Sequence, residues 1–362
     1  MIKNTYPKQI CLFDALKYRG VNERERERES RKLRHKYNDT ISVENLLHSW
    51  QEFLCGKKKR KDVAEFLLNF SDNIFDLRQE LKNKTYKHGG YHAFKINDPK
   101  PRSIHKASVR DRLLHHVIYN ALYPYFDRKF IFDSYSCRFG KGTHKAINRF
   151  REFGRKVSTN HTKTCWVLKC DIRKFFASIN HNLLKDILDK NIKDPDIFWL
   201  LNQVIDSFNT ENKVDVGLPL GNLTSQIFVN IYMDKFDQFM KREIKAKYYI
   251  RYADDFVILS ENKNYLLKLI PKIASFLEEK LKLELHPNKL FVKTLSSGID
   301  FLGWVHFPKY RVLRTSTKNR MFRRLAGEFK KETGASYSGL LSHGNGFKLG
   351  ERIKLLQKQN LV

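Results

Sequence analysis

The sequence predicts an α+β fold, and three observations carry that assignment. After Trp166, short apolar runs and longer amphipathic stretches follow the order strand, helix, strand pair, helix, strand, the order of a split βαβ sheet with helices on one face. Upstream, apolar residues recur at helical spacing. A hydrophobic content of 41% over 362 residues is enough for two or three subdomains sharing one substantial core.

The elements follow in order. The segment NERERERESRKLRHKY, residues 22–37, alternates acid and base, setting Glu23 and Glu27 four apart and Glu23 and Arg26 three apart. Gains and losses on a helix then partly cancel, and a solvated helix or mobile linker is expected. Val43, Leu46, Leu47, Trp50 and Leu54 line one helix; Val63, Phe66, Leu67, Phe70, Ile74, Leu77 and Leu81 line a second packed against it. YHAFKINDPKPRSIHKAS, residues 91–108, alternates on both sides of Asn-Asp-Pro, as in a hairpin, and carries Lys95, Lys100, Arg102 and Lys106. A helix over DRLLHHVIYNALYPYF follows. WVLKC is a strand, DIRKFFASINHNLLKDIL leads into a helix, GLPLGNLTS is a loop and SQIFVNIYMDKFDQFMKREI is a long helix. Strands KYYIRY and FVILS flank Ala253, Asp254 and Asp255; then come the helix NYLLKLIPKIASFLEEKL and strands in LELHPNKLFV and DFLGWVHF. The tail holds RMFRRL, a Gly/Ser-rich stretch from Gly334 to Gly350 and a last basic helix.

Sixty-nine Lys and Arg residues against 39 Asp and Glu give a formal charge of +30, which calls for a polyanionic partner, nucleic acid first. No apolar run approaches the twenty or so residues of a membrane span, so no membrane association is expected. The five cysteines (Cys11, Cys55, Cys137, Cys165, Cys170) are odd in number and form no Cys-x-x-Cys pair, which fits a reducing cytoplasm rather than a disulfide framework or zinc ribbon. His115 and His116 are helix neighbours pointing different ways, and packing is expected of them rather than metal ligation.

Asp254 and Asp255 stand side by side at the tip of a tight hairpin. Aspartate is a common turn former, so the pair alone is equally well structural. Asp171 changes the balance, because it ends a strand that the split βαβ order places beside this hairpin. Three carboxylates at one sheet edge repel unless cations neutralise them, and hard oxygen ligands suit Mg²⁺. Two such ions about 3.5–4 Å apart clamp the attacking and leaving oxygens of an in-line phosphoryl displacement.

YADD within its apolar flanks resembles the signature hairpin of reverse transcriptases, and Asp171 in CDIRKFFASINH matches the first aspartate of that family. KPRSIHKASVRDR resembles the fingers motif of the bacterial and group II intron type, FDSYSCRFGKGTHKAI the motif before the palm, HPNKL the lysine-bearing motif after the hairpin and DFLGW the primer-grip strand. The resemblance spans about residues 95–314. It implies a right-hand polymerase: an N-terminal helical extension and start of fingers over 1–90, fingers over 91–165, a ferredoxin-like palm over 166–314 and a short basic helical thumb over 315–362. It further implies an RNA template, a DNA or RNA primer, dNTPs, and two Mg²⁺ ions with Mn²⁺ as a substitute.

By the same resemblance Asp171 and Asp254 bridge the ions, with Asp255 adjacent and the Ile172 carbonyl as an additional ligand. Phe176 matches the steric gate beneath the incoming sugar, with Phe175 turned to the core; ordinary packing is the competing reading of both rings. Arg102, and after it Lys95 or Lys100, reach the triphosphate, although each is equally a solvated cation. Lys289 lies near the departing pyrophosphate, and Leu220 and Gly221 face the nascent pair. The family usually carries Gln-Gly and then Ser-Pro in that loop, whereas this chain reads LPLGNLTSQ, with Gln226 supporting the loop from the helix start. That departure resembles the enzymes of diversity-generating retroelements, which copy template adenines inaccurately from a template-repeat RNA with a small basic accessory protein. Defence-associated reverse transcriptases copying a non-coding RNA, an RNA polymerase sharing the palm, and a maturase-like RNA-binding scaffold are the alternatives. Phe176 opposes the second of these and the complete set of aspartates the third. No RNase H or endonuclease domain is expected after Arg314.

Overall fold

The computed structural model describes residues 33, 35–97, 101–211, 213–326 and 331–359. Cys11, Lys100 and most of the charged segment 22–37 lie outside them. Helices α1 (Tyr37–Thr40), α2 (Val43–Leu54), α3 (Lys61–Leu68) and α4 (Phe70–Lys82) precede the hairpin of β1 (Tyr91–Ile96) and β2 (Arg102–Ala107). Next come α5 (Val109–Asp127), α6 (Thr143–Val157), β3 (Trp166–Asp171), α7 (His181–Asp189), α8 (Pro195–Ile205) and α9 (Leu223–Gln238). The palm hairpin is β4 (Tyr249–Tyr252) and β5 (Asp255–Ser260), followed by α10 (Lys263–Leu281) and β6 (Phe291–Thr294). A second sheet of β7 (Ile299–Phe301), β8 (Trp304–His306) and β9 (Arg311–Leu313) leads into α11 (Thr315–Ala326), α12 (Lys331–Leu341) and α13 (Phe347–Gln359).

The palm sheet has the order β4-β5-β3-β6 with every neighbouring pair antiparallel, which is the split βαβ order expected from the sequence. Its two faces are set by alternation along β3 and β5. Leu168, Cys170, Phe256 and Ile258 join the core beneath α9 and α10, while Val167, Val257 and Leu259 join a second core. That second core holds Ala146, Ile147, Phe150 and Phe153 of α6, Trp304 of β8 and Met321, Tyr337 and Ile353 of the last three helices. Helices therefore cover both faces, not one: α6, on the side opposite α10, has an apolar stripe at Ala146, Ile147, Phe150, Phe153 and Val157 that the strand-and-helix pattern after Trp166 does not include.

Two further expectations change. The helix expected over Val63–Leu81 breaks at Asn69 (φ −118°, ψ 41°), leaving Leu67 and Leu68 exposed, while Ile74, Leu77 and Leu81 of α4 are buried. The Gly/Ser-rich stretch folds in part as α12, because Tyr337 and Leu341, four apart on one face, bury against the second core. The basic tail does place Met321 and Leu325 inside with Arg323 and Arg324 exposed. No helix among the described residues is long and apolar enough to cross a membrane.

Candidate active site

Strand register builds the site. Asp171, the last residue of β3, lies directly opposite Asp255, the first residue of β5, so both project to the same face. Asp254 sits in the two-residue turn before it, after Ala253 in a left-handed conformation (φ +54°). The two neighbouring acids are thus unlike: one is on a ladder, the other at a turn tip. The Ile172 N–H donates to the Asp254 carbonyl (3.2 Å) and the His286 N–H to the Asp171 carbonyl (2.8 Å), fixing turn and strand end together.

Three cations address these acids. The Lys289 ammonium lies 2.7 Å from Asp171 Oδ1, occupying the carboxylate that a metal ion would share. Lys169, two residues before Asp171 on the same face of β3, reaches Asp255 Oδ2 at 3.2 Å and donates to the Asp300 carbonyl at 2.8 Å. Arg102, at the turn end of the fingers hairpin opposite Ile96, is close enough to Asp254 to favour its charged form.

Neutralisation is nevertheless incomplete. Burial, followed by the neighbouring Asp171 charge, raises the Asp254 carboxyl above the ordinary aspartate value. Burial likewise pushes Asp255 up to about 7, with Lys169 opposing and Asp254 and Asp171 adding to the shift. Asp255 Oδ1 is buried with no hydrogen-bond partner. The three carboxylates share the sheet end without all approaching within 4.8 Å of one another. A set of hard, under-neutralised oxygens at an open strand end fits divalent cations that keep several waters.

The remaining residues singled out in the sequence take up the following places. Phe175 is buried, whereas Phe176 is only partly so, and its carbonyl accepts from Leu218 N–H at 2.8 Å. Leu220 is partly exposed, with its carbonyl accepting from His105 N–H of β2 at 3.0 Å. Asn222 Nδ2 donates to the His105 carbonyl at 2.7 Å, and Ser225 Oγ to the Pro219 carbonyl at 2.8 Å. The loop is thereby stitched to the fingers hairpin. Gly221 has φ +113°, and a Cβ there would stand 2.8 Å from Ile104 Cγ2, so glycine is required by backbone shape and by the approach of β2. Gln226 lies in the first turn of α9, partly buried. Lys95 is exposed on β1, while Lys106 pairs with Asp62 at 2.6 Å and serves the fold. His115 and His116 are both buried.

Sequence reasoning missed Lys169 and Arg251. The guanidinium of Arg251 is fully buried and donates to Asp237 through Nε (2.8 Å) and Nη2 (2.6 Å), to Ser134 Oγ (3.2 Å) and, through Nη1, to the Ala253 carbonyl (3.0 Å). A lone cation inside an apolar strand was the available signal.

Comparison with known proteins agrees with this geometry. The family model "Reverse transcriptase (RNA-dependent DNA polymerase)" matches residues 87–306, and the chain belongs to the reverse transcriptase family. Relatives include the group II intron-encoded protein LtrA of Lactococcus lactis subsp. cremoris, 24% identical over 72% of this chain and 53% of its own length. A COX1/OXI3 intron 2 protein of Saccharomyces cerevisiae is 23% identical over 68% of this chain and 33% of its length. Protein YkfC of Escherichia coli K12 is 25% identical over 54% and 60%. The chain thus spans one third to three fifths of these relatives. Among solved structures, apo telomerase of Candida tropicalis truncated from its C-terminal domain aligns with TM-score 0.46 and 15% identity over 67% of this chain and 60% of that one. Telomerase of Candida albicans in complex with a telomeric RNA fragment aligns with TM-score 0.48 and 11% identity over 72% and 52%.

Proposed function

We propose that the chain is an RNA-directed DNA polymerase that extends a DNA or RNA primer with dNTPs on an RNA template. The observation that carries this reading is the pairing of Asp171 with Asp255 beside Asp254, under-neutralised at an open sheet end, in a reverse transcriptase chain. Asp171 and Asp254, with Asp255 alongside and the Ile172 carbonyl as a further ligand, would hold two Mg²⁺ ions or Mn²⁺ in their place. When bound, these ions make the primer hydroxyl more acidic and offset charge on the departing pyrophosphate.

The chain's own residues supply position. Arg102 presents a forked donor to phosphate oxygens from β2. Lys289, freed from Asp171 when the acid is otherwise neutralised, is placed to donate a proton or charge to the pyrophosphate. Phe176 closes the space under the sugar, and Leu220 and Gly221 border the nascent pair. The exposed Arg323 and Arg324 grip duplex phosphates, an affinity that falls steeply with salt.

The LPLGN loop supports a finer reading, a diversity-generating retroelement enzyme copying adenines inaccurately with a template-repeat RNA and a small basic accessory protein in the cytoplasm. A defence-associated enzyme copying a non-coding RNA is the alternative that flanking DNA would separate: a near-repeat pair differing at adenines supports the first, a structured RNA without a variable copy the second. A third reading is a maturase-like RNA-binding scaffold, which the complete set of aspartates opposes and for which Asp254→Asn would leave biological function intact.

Primer extension on an RNA template tests the central reading. The wild type should add dNTPs in Mg²⁺, and Phe176→Ala should admit ribonucleotides. Unchanged sugar preference in Phe176→Ala would remove the gate; absence of any dNTP addition by the wild type would remove the activity.

A further inference from the structure

A second group of ligand-type side chains lies away from the catalytic hairpin. His181, at the start of α7, is fully buried, and its Nε2 is 2.6 Å from the Gly217 carbonyl. A carbonyl only accepts, so Nε2 carries the hydrogen, and in the neutral ring Nδ1 presents a lone pair. That Nδ1 is buried and has no hydrogen-bond partner. It faces Asp206 Oδ1 at 3.7 Å, and the nearest ligand oxygen of Asp215 completes a group whose members all lie within 4.8 Å of one another. A buried, unpartnered nitrogen lone pair thus opens onto two exposed carboxylates, an arrangement that a cation between them would complete.

We infer that His181, Asp206 and Asp215 form a divalent-cation site, distinct from the catalytic aspartates, selective for an ion of the zinc class. Ligand atoms held about 2.0–2.1 Å from one Zn²⁺ and separated by 3.7 Å subtend about 130° at the ion, within reach of a distorted tetrahedral centre. Imidazole nitrogen disfavours Mg²⁺ and Ca²⁺, whereas mixed nitrogen and carboxylate ligation suits Zn²⁺ or Co²⁺. The Gly217 carbonyl that fixes the His181 tautomer is the outer contact that structural metal sites use to orient an imidazole.

The backbone already holds the three residues together. The His181 N–H donates to the Asp215 carbonyl at 2.9 Å, Asn180 bridges Val216, and Asp215 N–H donates to Asn209 Oδ1 at 2.8 Å. Two of the three ligands are exposed carboxylates that can adjust to an ion. One competitor is present: the Lys185 ammonium lies 2.6 Å from Asp206 Oδ1 and 2.8 Å from Oδ2. The ion and Lys185 share or contest Asp206. Filling the site would tie α7 to residues 206–217, immediately ahead of Leu218, whose N–H meets the Phe176 carbonyl.

Co²⁺ added to the full-length apo chain is the direct probe, read by its visible d–d absorption and by the shift in thermal midpoint. The absorption should appear in the wild type and in Asp254→Asn, and disappear in His181→Gln and in Asp215→Asn. Asp215 is exposed, so the second variant keeps the fold if the first does not. Lys185→Ala removes the competing cation and should bind Co²⁺ more tightly than the wild type. A spectrum unchanged by Asp215→Asn, or weaker binding by Lys185→Ala, would overturn the site. So would wild-type protein with no Co²⁺ absorption.

Discussion

Asp237 and Asp255 are both drawn against the same palm hairpin, and only one of them is fully paired. Asp237 is wholly buried and receives the Arg251 fork and the Tyr249 hydroxyl (2.7 Å). Asp255, four residues beyond Arg251, has a single lysine at 3.2 Å and one oxygen with no partner. A saturated carboxylate is tolerated in the core because its charge meets an opposite one in good geometry, and removing either partner would leave a costly unpaired charge. An unsaturated one costs stability, and the proposed two-metal chemistry gives its retention at a sheet end beside two other acids a purpose. Arg251 joins the two regions: it neutralises Asp237 and grips the Ala253 carbonyl, so the structural pair holds the turn on which Asp254 is presented.

The comparison can be broken from either side. The largest expected effect is on chemistry: Asp171→Asn or Asp254→Asn should lower the rate of nucleotide addition by about 10³-fold or more, the equivalent of losing roughly 4 kcal/mol of transition-state stabilisation. Single-turnover primer extension reads this directly. Next is stability. Arg251→Met leaves Asp237 buried and uncompensated and should cost about 3–5 kcal/mol in denaturant unfolding; a loss under 1 kcal/mol would mean the pair is not what holds the turn. Gly221→Ala should cost about 1–3 kcal/mol through its left-handed backbone and the Ile104 contact, lowering the unfolding midpoint and raising the KM for dNTP.

The smallest effect concerns pH. Asp255 titrates near 7 in the folded chain against an ordinary value of 3.8, so between those values the folded state holds a proton that the unfolded chain has released. Stability without metal should therefore fall as pH rises through that window, with the cost fully present above it. Asp255→Asn should flatten the slope between about pH 4 and 7, and an unchanged slope would assign it elsewhere.

Much of this was legible in the sequence for physical reasons. Split βαβ order and period-two alternation place Asp171 beside the hairpin, since a strand ending at Cys170–Asp171 can only meet the start of FVILS at that edge. What the sequence hid depends on tertiary approach. Lys169 and Asp300 are 131 residues apart and meet only through the second sheet. Gly221 reads as room for a nucleotide, yet the atom nearest its missing Cβ belongs to Ile104. The helical part of the Gly/Ser-rich stretch rests on Tyr337 and Leu341 finding the second core, a gain that local propensity does not register. His181, Asp206 and Asp215 have no motif spacing at all.

Unfolding of the wild type and of Asp254→Asn, each with and without Mg²⁺ and dNTP, tests the distinction between saturated and unsaturated carboxylates most directly. Without metal the variant should be at least as stable as the wild type, because a repulsive buried charge has gone, and Mg²⁺ with dNTP should stabilise only the wild type. An Asp254→Asn chain that is less stable without metal, or that gains as much from Mg²⁺ as the wild type, would contradict the account.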